Sequence, residues 1–98
     1  MLVKELLSIL DKMMAAQVGV AVKGGRYRFK WRATKRAVLL TPTEPGEVFA
    51  RQLWSWLRSQ DLKAPVRIEW EGGRFDFAAK VDDERNQITL VPDWSAES

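Results

Sequence analysis

The sequence KGGRYRFKWR, at Lys23–Arg32, predicts a β-hairpin whose second strand has two unlike faces. Gly-Gly favours a two-residue turn, because a type I′ turn needs positive φ at both central positions. Basic and aromatic residues then alternate with a period of two, which is typical of a strand. The basic residues share one face: Arg26, Arg28, Lys30 and Arg32. The aromatic residues share the other: Tyr27, Phe29 and Trp31.

The preceding segment Val18–Lys23 also alternates and supplies the first strand of the hairpin. A two-residue loop at Gly24-Gly25 would place the apolar residues of the two strands opposite each other. The predicted pairs are Val22 with Tyr27, Val20 with Phe29, and Val18 with Trp31. A third strand is predicted at Arg36–Thr41, after a short turn.

Two amphipathic segments predict helices at Leu2–Ala16 and Glu47–Asp61. The apolar face of the first is wider than packing on one side of a sheet requires, which favours contact with a second subunit and a homo-oligomer. Exposed tryptophans could extend such an interface. The candidate interface residues are Leu2, Leu6, Ile9, Met13, Trp54 and Trp94.

The hairpin recurs later in the chain, so the sequence predicts an internal duplication. The pattern of residues 16–29 matches that of residues 64–77 at an offset of 48, which grows to 50 after the second turn. We expect a single domain at 1–98, with repeat 1 at 1–42, a linker at 43–46, repeat 2 at 47–94 and a tail at 95–98. The predicted fold is α+β, an antiparallel six-stranded sheet built from two α-β-β-β units with both helices packed on one face.

Charge is distributed unevenly along the chain. The net charge of the 98 residues is +3, but residues 1–49 carry nine Lys and Arg against four Asp and Glu. Seven basic residues and no acidic one lie between Lys23 and Arg36. This asymmetry indicates an anionic partner for the first half.

The basic strand is the feature that predicts nucleic-acid binding. Side chains at alternate strand positions stand roughly 6.5–7 Å apart, close to the phosphate spacing of a nucleic-acid strand. The candidate binding residues are Lys23, Arg26, Arg28, Lys30, Arg32, Lys35 and Arg36. Trp31 is a candidate stacking platform for a base. The alternative is structural, since arginine stems can cover apolar surface and charges protect an edge strand from aggregation.

Composition argues against catalysis, a metal centre or a cofactor. The chain has no Cys and no His, so it lacks disulfides, thiolate chemistry and the commonest general base. Neither Gly-Gly pair belongs to a phosphate-binding loop, and Asp82-Asp83-Glu84 lacks the spacing of a calcium loop. The N-terminal segment is interrupted by charges and resembles neither a signal peptide nor a membrane span, which predicts a cytoplasmic protein.

Two functions therefore remain open at the level of sequence. The first is a small non-enzymatic nucleic-acid-binding protein, for DNA or RNA, with weak sequence preference. The second is an adaptor, assembly factor or inhibitor that binds an acidic protein, as a homodimer. Membrane binding is disfavoured, because the basic residues lie on a strand instead of an amphipathic helix.

Overall fold

The computed structural model describes the backbone of residues 1–97 and the side chains of residues 1–94. Two short helices and seven strands form within the described backbone. They follow in the order α1 (Val3–Asp11), β1 (Gln17–Val22), β2 (Gly25–Ala33), β3 (Val38–Pro45), β4 (Val48–Phe49), α2 (Ala50–Leu57), β5 (Val66–Trp70), β6 (Gly73–Asp82) and β7 (Gln87–Glu97).

Six of the strands close into a mixed barrel, so the predicted open antiparallel sheet with both helices on one face is wrong. The order is β2-β3-β5-β6-β7-β1, with β1 also paired to β2, and β4 is added beside β1. Neighbours within each half are antiparallel, whereas β3 and β5, and likewise β1 and β7, are parallel. The two edge strands of a three-stranded meander run in the same direction. Joining two meanders around a twofold axis along the barrel therefore makes both junctions parallel and leaves neither meander with a free edge.

The barrel interior and the two helices share one hydrophobic core. Val18, Val20 and Val22 of β1 point inward and are at most 2% exposed. Leu6 of α1 and Leu53 of α2 are fully buried in the same cluster. Burial of such side chains stabilises the fold by about 1.5–3 kcal/mol each.

Equivalent hydrogen bonds fix the two helices at the same end of the barrel. The N–H of Val3 donates to the carbonyl of Ala64, before β5, and the N–H of Ala50 donates to the carbonyl of Ala16, before β1, both at 2.9 Å. Both helices therefore begin at the end where β1 and β5 begin. The β1–β2 and β5–β6 turns lie at the opposite end, which we call the hairpin end.

The wide apolar face of α1 is used within the chain. Leu6 is fully buried and is not available to a partner, whereas Ile9 and Met13 pack against the core while partly exposed. Leu2 forms an isolated bridge with Pro65. The helix needs this width because it contacts α2 and also buries side chains in the cluster that fills the barrel.

The hairpin register is displaced from the predicted one. Val20 lies opposite Tyr27, and Val22 lies opposite Gly25. The turn residues are Lys23 and Gly24, with φ of 51° and 73°, so the predicted Gly24-Gly25 loop is wrong. A slip of two residues keeps every side chain on its predicted face, because the strand period is two. The second hairpin repeats the geometry at Glu71 and Gly72, with φ of 48° and 82°.

Several element boundaries also differ from prediction. Both helices are shorter, because residues 12–16 form turns after α1 and residues 48–49 pair with β1 as β4. The predicted linker 43–46 is largely strand, since β3 continues to Pro45. Of the predicted tail 95–98, residues 95–97 belong to β7, and residue 98 lies outside the described residues.

Candidate nucleic-acid interface

The basic residues of β2 point outward from the barrel, as the alternation predicts. Arg28, Lys30 and Arg32 are exposed, whereas Phe29 between them is buried at 3% exposure. Lys35 and Arg36 follow in the turn to β3 and are also exposed.

Thr34 organises this turn. Its Oγ1 accepts a hydrogen bond from the N–H of Ala37 at 3.1 Å and another from the N–H of Arg36 at 3.3 Å. Its hydroxyl also lies 3.1 Å from the Ala37 carbonyl, to which it donates. Such local side-chain bonds hold the backbone of the turn in one conformation. Lys35 and Arg36 are therefore carried on an ordered support directly after the basic strand.

Arg26 is engaged in the fold and is not an open cation. Its guanidinium pairs with Glu47 and donates to the carbonyl of Ile88 at 2.8 Å and of Gln17 at 3.3 Å. The side chain lies over Gly19, where an added Cβ would come within 3.2 Å of the guanidinium. The structure thus places Arg26 against β1, β7 and the residue before β4, with only 23% of its side chain exposed.

Lys23 also separates from the other basic residues. It occupies the β1–β2 turn at the hairpin end, and its Nζ lies 5.3 Å from the ring centroid of Trp70. The predicted set of seven basic residues is therefore not one surface. Five of them remain together on β2 and the following turn, and we call them the cation row: Arg28, Lys30, Arg32, Lys35 and Arg36.

Two members of the cation row have acidic neighbours that sequence reasoning missed. Arg28 lies 3.7 Å from Glu44, and Arg32 lies 3.2 Å from Glu69. Both arginines are more than half exposed, so these ion pairs are weak in water. Glu69 is brought to Arg32 by the parallel pairing of β3 with β5, and no local sequence signal predicts that contact.

The other three members have no such neighbour. Among the described side chains, no carboxylate lies within 4.0 Å of the ammonium or guanidinium of Lys30, Lys35 or Arg36. They are therefore the most accessible positive charges of the row.

A hollow of about 430 Å³ opens beside the row. It is lined by Arg28, Phe29, Lys30, Thr43 and Glu44. A register irregularity lies at the same place, since Phe29 pairs with Pro42 whereas Arg28 pairs with Glu44, which leaves Thr43 as an extra residue. The hydroxyl of Thr43 is 3.3 Å from the Arg28 carbonyl and donates to it.

The structural alternative holds for part of the row. Leu39 is fully buried but does not belong to the core cluster, and its cross-strand neighbours are Arg32 and Arg67. We attribute its burial to the aliphatic stems of these two arginines. Arg32 thus combines a packing role with an exposed charge.

The candidate aromatic residues lie in three different places. Trp31 packs partly buried against the core with its ring 5.9 Å from that of Phe29, so it does not present a free face beside the row. Trp54 packs against the core and stacks with Arg58 at 4.9 Å. Trp94 is 51% exposed and meets Phe75 edge to face.

Asp76 occupies in the second half the position of Arg28 in the first. Burial raises the pKa of this carboxyl group. The Met1 amino group and the Phe77 N–H donate hydrogen bonds to it, and together with the charge of Arg67 they lower its pKa by more, so the pKa lies below its ordinary value of 3.8. The outer face of the second repeat therefore does not reproduce the cation row.

Comparisons with protein-family models, curated proteins and solved structures found no match to this chain. Within residues 1–97, neither helix has the length and apolar character needed to cross a lipid bilayer.

Proposed function

We propose that the chain is a small non-enzymatic nucleic-acid-binding protein that holds a phosphate backbone on the cation row. The observation that carries this proposal is the run of exposed cations on one strand and its ordered turn. A phosphate can contact Lys30, Lys35 and Arg36 without displacing any of the described carboxylates. The exposed pairs of Arg28 and Arg32 are weak enough for a phosphate to replace their acidic partners.

The proposed contacts are to phosphates and not to base edges. The row is a set of point charges along a convex strand, and Trp31 is covered by its own packing. Phosphate contacts position a protein but carry little sequence information. The proposed binding is therefore weakly selective and strongly dependent on salt. A cytoplasmic location, favoured by the absence of Cys, belongs to the same proposal.

Charge reversal tests the site directly. We expect the triple variant Lys30→Glu, Lys35→Glu, Arg36→Glu to lose measurable binding to labelled oligonucleotides while its circular dichroism and unfolding midpoint stay unchanged. The matched control is Lys4→Glu, Lys63→Glu, Lys80→Glu, which has the same net charge and changes exposed residues elsewhere. Lys80 is a strict comparison, because it holds in repeat 2 the position of Arg32. Equal losses in both triples would remove the row as the site.

A second candidate function, an adaptor, assembly factor or inhibitor for an acidic protein, is favoured by a different surface. Phe49 is 52% exposed beside a hollow of about 300 Å³ that Met14, Ala15, Phe49, Arg51 and Gln52 line. An exposed aromatic residue with an adjacent arginine is a common anchor in protein interfaces. Affinity purification with wild-type, Phe49→Ala and Arg51→Glu baits tests this function. This function predicts an acidic partner that the wild-type bait retains and both variants lose. Retention of that partner by both variants would refute the function.

A further inference from the structure

The hairpin end carries a hollow that the proposed function does not use. Its volume is about 430 Å³, and it is lined by Trp70, Glu71, Gly72, Gly73, Phe75 and Trp94. Trp70 and Phe75 continue the inward faces of β5 and β6, beyond the buried Ile68 and Phe77. The hollow therefore lies at the end of the barrel opposite the helices, and barrel ends are common ligand sites.

Three aromatic residues line this hollow together with the polar turn at residues 71–73. The rings of Phe75 and Trp94 have centroids 4.9 Å apart and planes at 72°, so they meet as a corner. Trp70 supplies a third ring, and Gly73, its cross-strand partner, adds no side chain that would fill the space. Trp94 remains 51% exposed despite its size, so this aromatic surface is open to a ligand.

Glu71 supplies a carboxylate to the hollow, and among the described lining residues there is no Lys or Arg, although Lys23 lies close by over the Trp70 ring. Glu71 has φ of 48°, as Lys23 has φ of 51° at the same position of the first hairpin, so this conformation belongs to the turn. Lys23 Nζ lies 5.3 Å from the Trp70 ring centroid and Tyr27 meets this ring edge to face at 6.4 Å, so Trp70 already has partners and the open aromatic surface is the corner of Phe75 and Trp94.

The first repeat shows that the fold does not require these residues. Trp70, Glu71 and Phe75 correspond to Val22, Lys23 and Tyr27, and Trp94 corresponds to Glu44. The first hairpin forms the same turn with this different set. The aromatic corner and the sign of the turn charge are therefore specific to the second repeat and exceed what the scaffold needs.

We propose that the hollow binds a methylated ammonium group. Such a cation is attracted to aromatic faces by their quadrupoles and is weakly hydrated, so an open aromatic corner with one carboxylate suits it. The group can be part of a small molecule of the choline type or of a trimethylated lysine side chain on a peptide. This site is independent of the cation row.

Titration by NMR with choline, followed at the indole N–H signals, tests the proposal. The neutral isostere 3,3-dimethylbutan-1-ol is the chemical control, because it has the same shape without charge. We expect saturable shifts of the Trp70 and Trp94 signals, with a dissociation constant on the order of millimolar for so small a ligand. The isostere should bind at least about tenfold more weakly, since it lacks the cation–π attraction.

Variants locate the site. Trp94→Ala and Glu71→Gln should each weaken choline binding, Trp94→Ala by about tenfold or more. Phe49→Ala removes a similarly exposed aromatic residue from another surface and should leave it unchanged. Circular dichroism verifies that each variant is folded.

A further arm distinguishes the two sources of the group. Tighter binding of a trimethyllysine peptide than of choline, and than of the same peptide unmethylated, would identify a protein ligand. Tighter binding of choline would identify a small molecule. Equal binding of choline and the isostere, stronger shifts with a nucleoside, or no saturable shift of Trp94 would overturn the proposal.

Discussion

Replacement of Arg26 by alanine separates a cation that supports the fold from those proposed to bind a ligand. The guanidinium of Arg26 makes an ion pair with Glu47 and hydrogen bonds to two carbonyls, of Ile88 and Gln17, while only 23% of its side chain is exposed. Hydrogen bonds that involve a charged group contribute about 1.5–3 kcal/mol each, and the 3.3 Å contact contributes less. Alanine also leaves Glu47, 28% exposed, without its partner.

These terms are partly offset. The Nε of Arg26 is buried without a hydrogen-bond partner, and its removal relieves that penalty. We therefore expect Arg26→Ala to lower the free energy of unfolding by about 2–4 kcal/mol, from a total on the order of 5–15 kcal/mol for a chain of this size. In urea unfolding followed by tryptophan fluorescence, the midpoint should fall by roughly 1–2 M.

The duplication supplies the control. Arg74 is the equivalent residue in repeat 2, but its side chain is nearly half exposed and solvent screens its charge, so Arg74→Ala should cost less than Arg26→Ala. Arg26→Lys keeps the charge without the planar guanidinium, and it should lower the free energy of unfolding by about half as much as Arg26→Ala. It should leave oligonucleotide affinity unchanged. Losses within about 0.5 kcal/mol of each other for Arg26→Ala and Arg74→Ala would refute the reasoning.

Three further predictions concern the turns, the core and pH. Gly24→Ala should destabilise the fold by about 1 kcal/mol, because φ is +73° at this position. No atom lies within 4 Å of the added Cβ, so the effect is purely conformational. An unchanged stability in urea unfolding would contradict the type I′ turn. Leu6→Ala should lower the free energy of unfolding by about 2–5 kcal/mol, because Leu6 is fully buried. A loss below about 1 kcal/mol would contradict its place in the core. The lowered pKa of Asp76 means that its contacts stabilise the fold above the ordinary carboxyl pKa and lose this effect as pH falls through the lower, folded-state value. Asp76→Asn should therefore be less stable than wild type at neutral pH and equally stable once the pH lies below the folded-state pKa of Asp76, and a difference independent of pH would contradict the ion pair.

The faces of the strands and their partners within each three-stranded meander were predictable from sequence, but the pairings between the two repeats were not. Period-two alternation assigns Phe29 inward and Lys30 outward whatever strand lies beside them. The turn chemistry located both hairpins within one residue. It did not distinguish Lys23-Gly24 from Gly24-Gly25, because a second-position glycine allows Lys at the first position. Closure of the barrel depends on β3 pairing with β5 and β1 with β7, contacts between repeats that alternation does not encode.

The same limit applies to the candidate site. Sequence indicates which side chains are basic and outward, and five of the seven predicted residues do form one surface. It does not show that Arg26 is held by Glu47, since that contact depends on β4 replacing the start of the predicted second helix. It also does not show that Glu69 reaches Arg32 across the β3–β5 junction. Long-range pairing thus decides which charges remain available.

The salt dependence of oligonucleotide binding tests the central proposal most directly. With three to five cations contacting phosphates, the logarithmic slope against salt should be about −2.7 to −4.5 for duplex DNA, so affinity should fall roughly 40- to 500-fold between about 50 and 200 mM salt. Fluorescence anisotropy measures this slope for the wild type and for the Lys4, Lys63, Lys80 control triple, which should agree with each other. The Lys30, Lys35, Arg36 triple should show no binding even at the lower salt. Absence of wild-type binding at about 50 mM salt, or an unchanged slope in that triple, would contradict the proposal.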